Sequence, residues 1–157
     1  MSEQEILGAA IGCIPSGLFI VTTTQAQKHG VMLASWVQQA AFEPPTVTFA
    51  VAKERHISAM LSIGSPVVVN ILEKGQGKLI GHFSKVEPDT NPFAEIATAL
   101  APSGQPYLTE AIAYLDTTVT QIIDAGDHDL VLAQIKAGER LRDGEPATHT
   151  RKNGFKY

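Results

Sequence analysis

The sequence contains one cysteine, Cys13, so no disulfide can form within it, and a thiolate zinc site is excluded. No apolar run approaches the roughly 20 residues that a membrane-spanning helix requires. The opening Met1-Ser-Glu-Gln-Glu is acidic where a secretory signal would be positive, and the expected compartment is the cytoplasm. Only 18% of residues are charged and the net charge is −4, which argues against generic nucleic-acid binding, since that needs a basic surface. Five histidines are present, but none pair at metal-ligand spacing, and no metal site is expected. No G-x-S-x-G elbow occurs, and Cys13 has no recognisable base near it in sequence. Gly75-Gln76-Gly77 with Gly81 imitates a dinucleotide loop but has the wrong spacing and no surrounding β-α-β unit, and Gly77-Lys78 lacks the rest of a P-loop. With no visible nucleophile, metal or nucleotide loop, any enzymatic chemistry must come from a cofactor that the fold orients.

What is present suits a single globular domain over residues 1–157, with 44% hydrophobic residues to fill a core. Ile6, Leu7, Ala10 and Ile11 give Glu3 to Cys13 a helical spacing, ended by Pro15, Ser16 and Gly17. Leu18 to Thr24 and Val31 to Val37 read as strands of a hairpin turning at Lys28-His29-Gly30. After Pro44-Pro45, Thr46 to Ala52 resumes as a strand with Val47, Phe49 and Val51 on one face. Arg55 to Ile63 has helical spacing. Val67 to Leu72 reads as a central strand, and Leu79, Ile80 and Phe83 lie on a short helix. Asn91-Pro92 suits the start of a further helix bearing Phe93, Ile96, Ala97 and Leu100, followed by a loop from Pro102 to Pro106. Ala113 to Ile123 and Asp129 to Ala137 read as strands around a turn at 125–128, with a second turn from Gly138 to Gly144. The sum is a mainly β protein with short α-helices, an antiparallel barrel without regular β-α-β alternation.

Two features carry chemical information by themselves. Lys53 and Arg55 stand where the Arg55 to Ile63 helix would begin. Cations there are unfavourable unless an anion is bound, so the pattern points to a phosphate-bearing ligand, with a solvated turn balanced by Glu54 as the alternative. Asn70 is embedded in an apolar strand, and its amide must find backbone, water or ligand.

Ala34-Ser35-Trp36-Val37, Pro44-Pro45, Ala50-Val51-Ala52-Lys53-Glu54-Arg55 and Asn70-Ile71-Leu72 together resemble the flavin reductase-like family of FMN-binding split barrels. Gly126-Asp127-His128 is similar to that family's G-D-H turn, and His149 through Tyr157 to its H-x-R-K-x-G-x-x-Y tail. The A-S-W-V-Q-Q and A-V-A-K-E-R stretches look most like the C-terminal flavin reductase module of flavodiiron proteins. The resemblance implies a Greek-key split barrel, a homodimer, and FMN reduced by NADH or NADPH, with electrons passing on to a diiron or other redox acceptor. It assigns Ser35, Trp36 and Val37 to the flavin ring, Ala50, Ala52, Lys53 and Arg55 to the segment running to the phosphate, and Asn70 to a flavin contact. Phe83, Ser84 and Lys85 fall on the loop nearing the ribityl phosphate, and His128 takes the catalytic place beside the nicotinamide or flavin ring. Arg151, Lys152 and Tyr157 match the tail, without a role. The family often has a glycine where Ala133-Gln134-Ile135 stands, which is a departure here. An FMN electron carrier without a nicotinamide site, and a flavin-free binding module, remain alternatives.

Overall fold

A computed structural model describes residues 1–157. In chain order it runs through α1 (Glu3–Gly12), β1 (Ser16–Gly17), β2 (Phe19–Gln25), β3 (Lys28–Ala34), β4 (Val37–Ala41) and β5 (Thr46–Ala52). A five-residue 3-10 turn, His56–Met60, precedes β6 (Pro66–Ile71) and α2 (Gly77–Phe83). There follow β7 (Thr98–Leu100), β8 (Pro106–Leu108), β9 (Ala113–Asp124), β10 (His128–Arg140) and β11 (Thr148–His149). No helix is long and apolar enough to cross a membrane.

Seven strands form one antiparallel sheet in the order β3-β2-β6-β9-β10-β5-β4. The two outer strands, β3 and β4, are consecutive in the chain with only Ser35 and Trp36 between them. Two intervening residues span at most about 11 Å, so the sheet must curl until its two edges meet. The result is a split barrel whose seam is crossed by the chain at Trp36.

Strand alternation fills the barrel. Val47, Phe49 and Val51 of β5 point inward beside Val21, Met32, Val67, Val69, Val119 and Val131, and Phe49 and Val21 are wholly buried. Each such side chain contributes about 1.5–3 kcal/mol by leaving water. The opposite face of β2 and β3 is covered by α2, whose Leu79 and Phe83 pack with Ile20, Leu72 and Leu108.

Several expectations need correction. The hairpin turn is Ala26-Gln27, both at positive φ as a two-residue turn between twisted strands demands, and Lys28-His29-Gly30 already belongs to β3. No helix follows Asn91-Pro92. The Asn91 side chain caps a single turn through Phe93 N–H, then Glu95 takes φ 64° and the chain enters β7, which pairs with β8 across the expected loop. β10 continues through Gly138 to Arg140 because β9 extends alongside it to Ala113. The Arg55 to Ile63 helix reduces to the 3-10 turn. In α1, Ile6 and Leu7 are 54% exposed, and the buried residues are Gly8 and Gly12.

Those two glycines explain how the chain ends are fastened. Beyond β11, which pairs with β1, the Arg151 N–H donates to the Gly12 carbonyl at 3.1 Å and the Gly154 N–H to the Gly8 carbonyl at 2.6 Å. A methyl group at Gly12 would collide with the Arg151 carbonyl, so the close approach requires glycine.

Candidate functional site

Two clefts meet at the seam. One, of about 390 Å³, is largely apolar and lies between the outer face of the seam and α2, with Leu18, Met32, Leu33, Ala50 and Ile80 on its walls and Arg55 and Ser84 at polar positions. The other, of about 830 Å³, is more polar and includes Lys53, Glu54, Asp127, His128 and Arg151. Trp36, Ala50, Ala52 and Tyr157 belong to both. Volumes of this size suit a small-molecule or cofactor site.

The pleat of β5 creates the shared wall. Because Val47, Phe49 and Val51 face the core, Ala50 and Ala52 face the clefts, and their small side chains leave room against the strand for a flat ligand. The Ala50 N–H donates to the Trp36 carbonyl at 3.0 Å, which holds the seam residue against β5. β10 runs beside β5 with His128 opposite Ala52, so the turn histidine is delivered to the same wall.

An aromatic group forms around the seam. The Trp36 ring centroid is 4.8 Å from that of His128 and 5.5 Å from that of Tyr157, and the Arg151 guanidinium lies 5.0 Å from the Trp36 ring centroid. The Arg55 guanidinium lies 5.7 Å from the Tyr157 ring centroid. His128, with its side chain 15% exposed, is engaged at both nitrogens: Nδ1 meets Asp127 Oδ1 at 2.7 Å, and Nε2 meets the Tyr157 hydroxyl. Asp127 is held below the usual carboxylate range, first by its hydrogen bond with His128 and then by that ring's charge, and so acts as acceptor. Nδ1 therefore carries a proton, and Nε2 and the Tyr157 hydroxyl share the second hydrogen bond. Burial pushes the Tyr157 phenol up, which keeps it a donor.

Ser35, Trp36, Ala50, Ala52 and Arg55 all line the apolar cleft, and Lys53 and His128 line the polar one. Lys53 nevertheless does not stand as a free cation. Its Nζ lies 2.7 Å from Asp124 Oδ1; that hydrogen bond raises the lysine above its usual range, and it is the first cause lowering Asp124 below its own. The helix-start argument also changes, because the Lys53 and Arg55 N–H groups already donate to the Asp127 and Ala52 carbonyls at 3.0 Å. What remains for an anion on this wall is the Arg55 guanidinium, which has no carboxylate within 4 Å.

Four of the expected ligand contacts line neither cleft. Asn70 is wholly buried, its Nδ2 donating to the Ile20 carbonyl at 3.0 Å and its Oδ1 accepting from the Leu108 N–H at 2.8 Å, so its amide serves the backbone. Phe83 is buried under α2 with Leu79. Lys85 is exposed and forms no part of either cleft wall, whereas its neighbour Ser84 lines the apolar one. Val37 is half-buried and packs against the barrel core, paired with Phe49. The lining residues that the sequence did not single out, Leu18, Met32, Leu33 and Ile80, look like ordinary strand and helix residues, whereas His149 heads the tail motif. Only the topology brings them together. For Tyr157 the tail motif was the available signal.

The flavin reductase like domain profile matches residues 11–156. Among curated proteins, the putative diflavin flavoprotein A 3 of Synechocystis sp. is 43% identical over 158 residues, covering 99% of this chain and 26% of that protein. The putative diflavin flavoprotein A 6 of Nostoc sp. is 42% identical, covering 94% of this chain and 26% of that protein. The chain thus spans about a quarter of the length of these relatives. Among solved structures, the NADH:FAD oxidoreductase SgcE6 of Streptomyces globisporus C-1027 superposes with TM-score 0.84 at 24% identity over 90% of this chain and 85% of that one. The flavin reductase HpaC, solved with NADP+, gives TM-score 0.78 at 25% identity over 94% of each chain. The chain therefore belongs to the flavin reductase-like family.

Proposed function

We propose that this chain is an NAD(P)H:flavin oxidoreductase that holds FMN in the apolar cleft and admits the nicotinamide from the polar one. The observation that carries the reading is the junction of two clefts, one with few charged side chains and one with many, across a wall of Trp36, Ala50 and Ala52. A flat, largely apolar ring system fits that wall because the β5 side chains facing it, Ala50 and Ala52, are small and Trp36 adds a flat apolar ring. When bound, the flavin supplies the redox chemistry by accepting a hydride from the nicotinamide.

The chain's own part is binding, orientation and electrostatics. Arg55, without a carboxylate partner, offsets negative charge on the ligand from the cleft wall. Ser84, which caps the end of α2, brings a hydroxyl oxygen that can accept on the same side while its O–H donates to the Gly81 carbonyl at 3.0 Å. His128 stands at the polar wall with its proton held at Nδ1 by Asp127, and Tyr157 places a second hydroxyl beside it. Trp36 and Tyr157 narrow the junction.

The relatives being about four times longer, we further propose that electrons leave this chain for an acceptor outside it, of which a diiron centre is the one the resemblance implies, and that the chain works as a homodimer. The test is the visible spectrum of the purified protein with added FMN, followed without oxygen by NADPH or NADH. Flavin bands that bleach on nicotinamide addition are expected. Bands that persist would make the chain an electron carrier, and no flavin binding would make it a binding module.

A further inference from the structure

The chain carries more acid than base, 16 Asp and Glu against 12 Lys and Arg, yet residues 148–157 hold Arg151, Lys152 and Lys156 and no acidic side chain. Lys53, Lys74, Arg140 and Arg142 each lie within 4 Å of an acidic side chain; the three tail cations are among those that do not, and they stand together within six residues. Cations gathered without a counter-ion repel one another, so the arrangement is improved by an anion.

The backbone here is fixed and is not an open tail. Arg151 Nη1 donates to the Gly154 and Lys156 carbonyls at 3.3 Å each, the Asn153 Oδ1 accepts from the Phe155 N–H at 2.8 Å, and α1 holds Arg151 and Gly154 from behind. This loop walls a cavity of about 320 Å³ to which Arg151, Lys152 and Lys156 all contribute. The cavity shares Arg151, Lys156 and Tyr157 with the polar cleft, and with the apolar cleft it shares only His149 and Tyr157. The nearest carboxylates on the polar cleft, Glu54 and Asp127, do not line it.

We infer that this cavity is a phosphate subsite for the nicotinamide dinucleotide, receiving the ribose 2′-phosphate of NADPH, and that Lys152 and Lys156 make the protein prefer NADPH to NADH. The inference rests on the reductase reading above and adds the choice of donor. A 2′-phosphate carries nearly two negative charges near neutral pH, which matches two lysines with the guanidinium behind them. A flavin phosphate is better served from the other cleft, where Arg55 lies. The side chains of Lys152 and Lys156 are exposed and make no hydrogen bond within the protein, so truncating them leaves the fold intact, whereas the Arg151 side chain builds the loop.

The experiment follows binding of NADP+ and NAD+ through the fluorescence of Trp36, the only tryptophan and a wall of both clefts. Binding needs no turnover, so a protein that fails to reduce flavin still reports on the subsite. The unaltered protein is expected to bind NADP+ more tightly than NAD+, with the gap closing as salt rises. The double variant Lys152→Ala, Lys156→Ala is expected to weaken NADP+ about tenfold and NAD+ less than twofold, while Lys152→Arg with Lys156→Arg keeps the preference. Equal weakening of both nucleotides would overturn the 2′-phosphate assignment in favour of the bridging phosphates. Weakening of FMN alone would overturn it in favour of the flavin phosphate. Unchanged binding of all three would remove the subsite.

Discussion

Asn70 offers the sharpest separation of scaffold from site. Replacing it with alanine leaves the buried Leu108 N–H without its acceptor and takes a donor from the Ile20 carbonyl, in a strand whose four central residues are buried. An unsatisfied buried donor costs about 1–3 kcal/mol, and with the small void and the lost second bond the total should reach about 2–4 kcal/mol. For a chain of this size that is a fall in Tm of about 4–16 °C. Urea unfolding followed by circular dichroism measures it directly, and the slope with denaturant should stay unchanged. Asn70→Asp should be worse at neutral pH, because a carboxylate can accept from Leu108 but cannot donate to Ile20 and is buried besides. Burial raises the folded pKa of such an acid, so its penalty should ease as pH falls. The flavin affinity of the folded fraction should be unaltered in both. A loss below about 0.5 kcal/mol, or a tenfold weaker flavin Kd with stability held, would refute the reasoning.

Arg55→Ala should weaken flavin binding roughly 10- to 150-fold, as the loss of one charged hydrogen bond, while Lys53→Ala changes it a few-fold at most because Asp124 already holds that lysine; fluorescence titration with FMN compares the two, and equal effects would return Lys53 to the ligand. Gly12→Ala should force the Arg151 carbonyl away and cost about 1–3 kcal/mol, seen as faster amide exchange across residues 150–157, and unchanged exchange there would show that the helix does not hold the tail. The Lys53 and Asp124 pair should support the 124–128 turn in a pH window with two edges. The Asp124 contribution is present above the usual carboxylate range and is lost as pH falls through its lowered value, and that of Lys53 is present below the usual lysine range and is lost as pH rises through its raised one. An NMR titration with the Asp124 carboxyl at an ordinary midpoint would contradict this.

The β-strands and their inward residues could be read from sequence because period-two alternation is local: Val47, Phe49 and Val51 face the core as their spacing requires. The seam could not be read this way. Ser35 and Trp36 look like the continuation of one strand, and only the pairing order shows that the chain there crosses between two sheet edges. Near Asn91 local chemistry misled: the cap is real, but Glu95 and the pairing of β7 with β8 end the helix after one turn. The partner of Lys53 lies 71 residues away, and the partners of Asn70 lie 50 and 38 residues away, so neither the ion pair nor the buried amide leaves a trace in a window of neighbouring residues. In both cases the residue type announced that a partner was needed, and topology chose which.

The fastening of the last residues to the first helix has a kinetic consequence. Ser16 and His149, which begin that junction, are 133 residues apart, and the bonds from Gly8 and Gly12 span still more of the chain. Closing so long a loop is entropically costly until the intervening barrel has drawn the two ends together. The wall carrying Arg151 and Tyr157 should consequently be among the last parts to become ordered during folding. A chain with its barrel already formed but its ends still apart would have a core and two half-open clefts, with ligand affinity arriving only at the final closure.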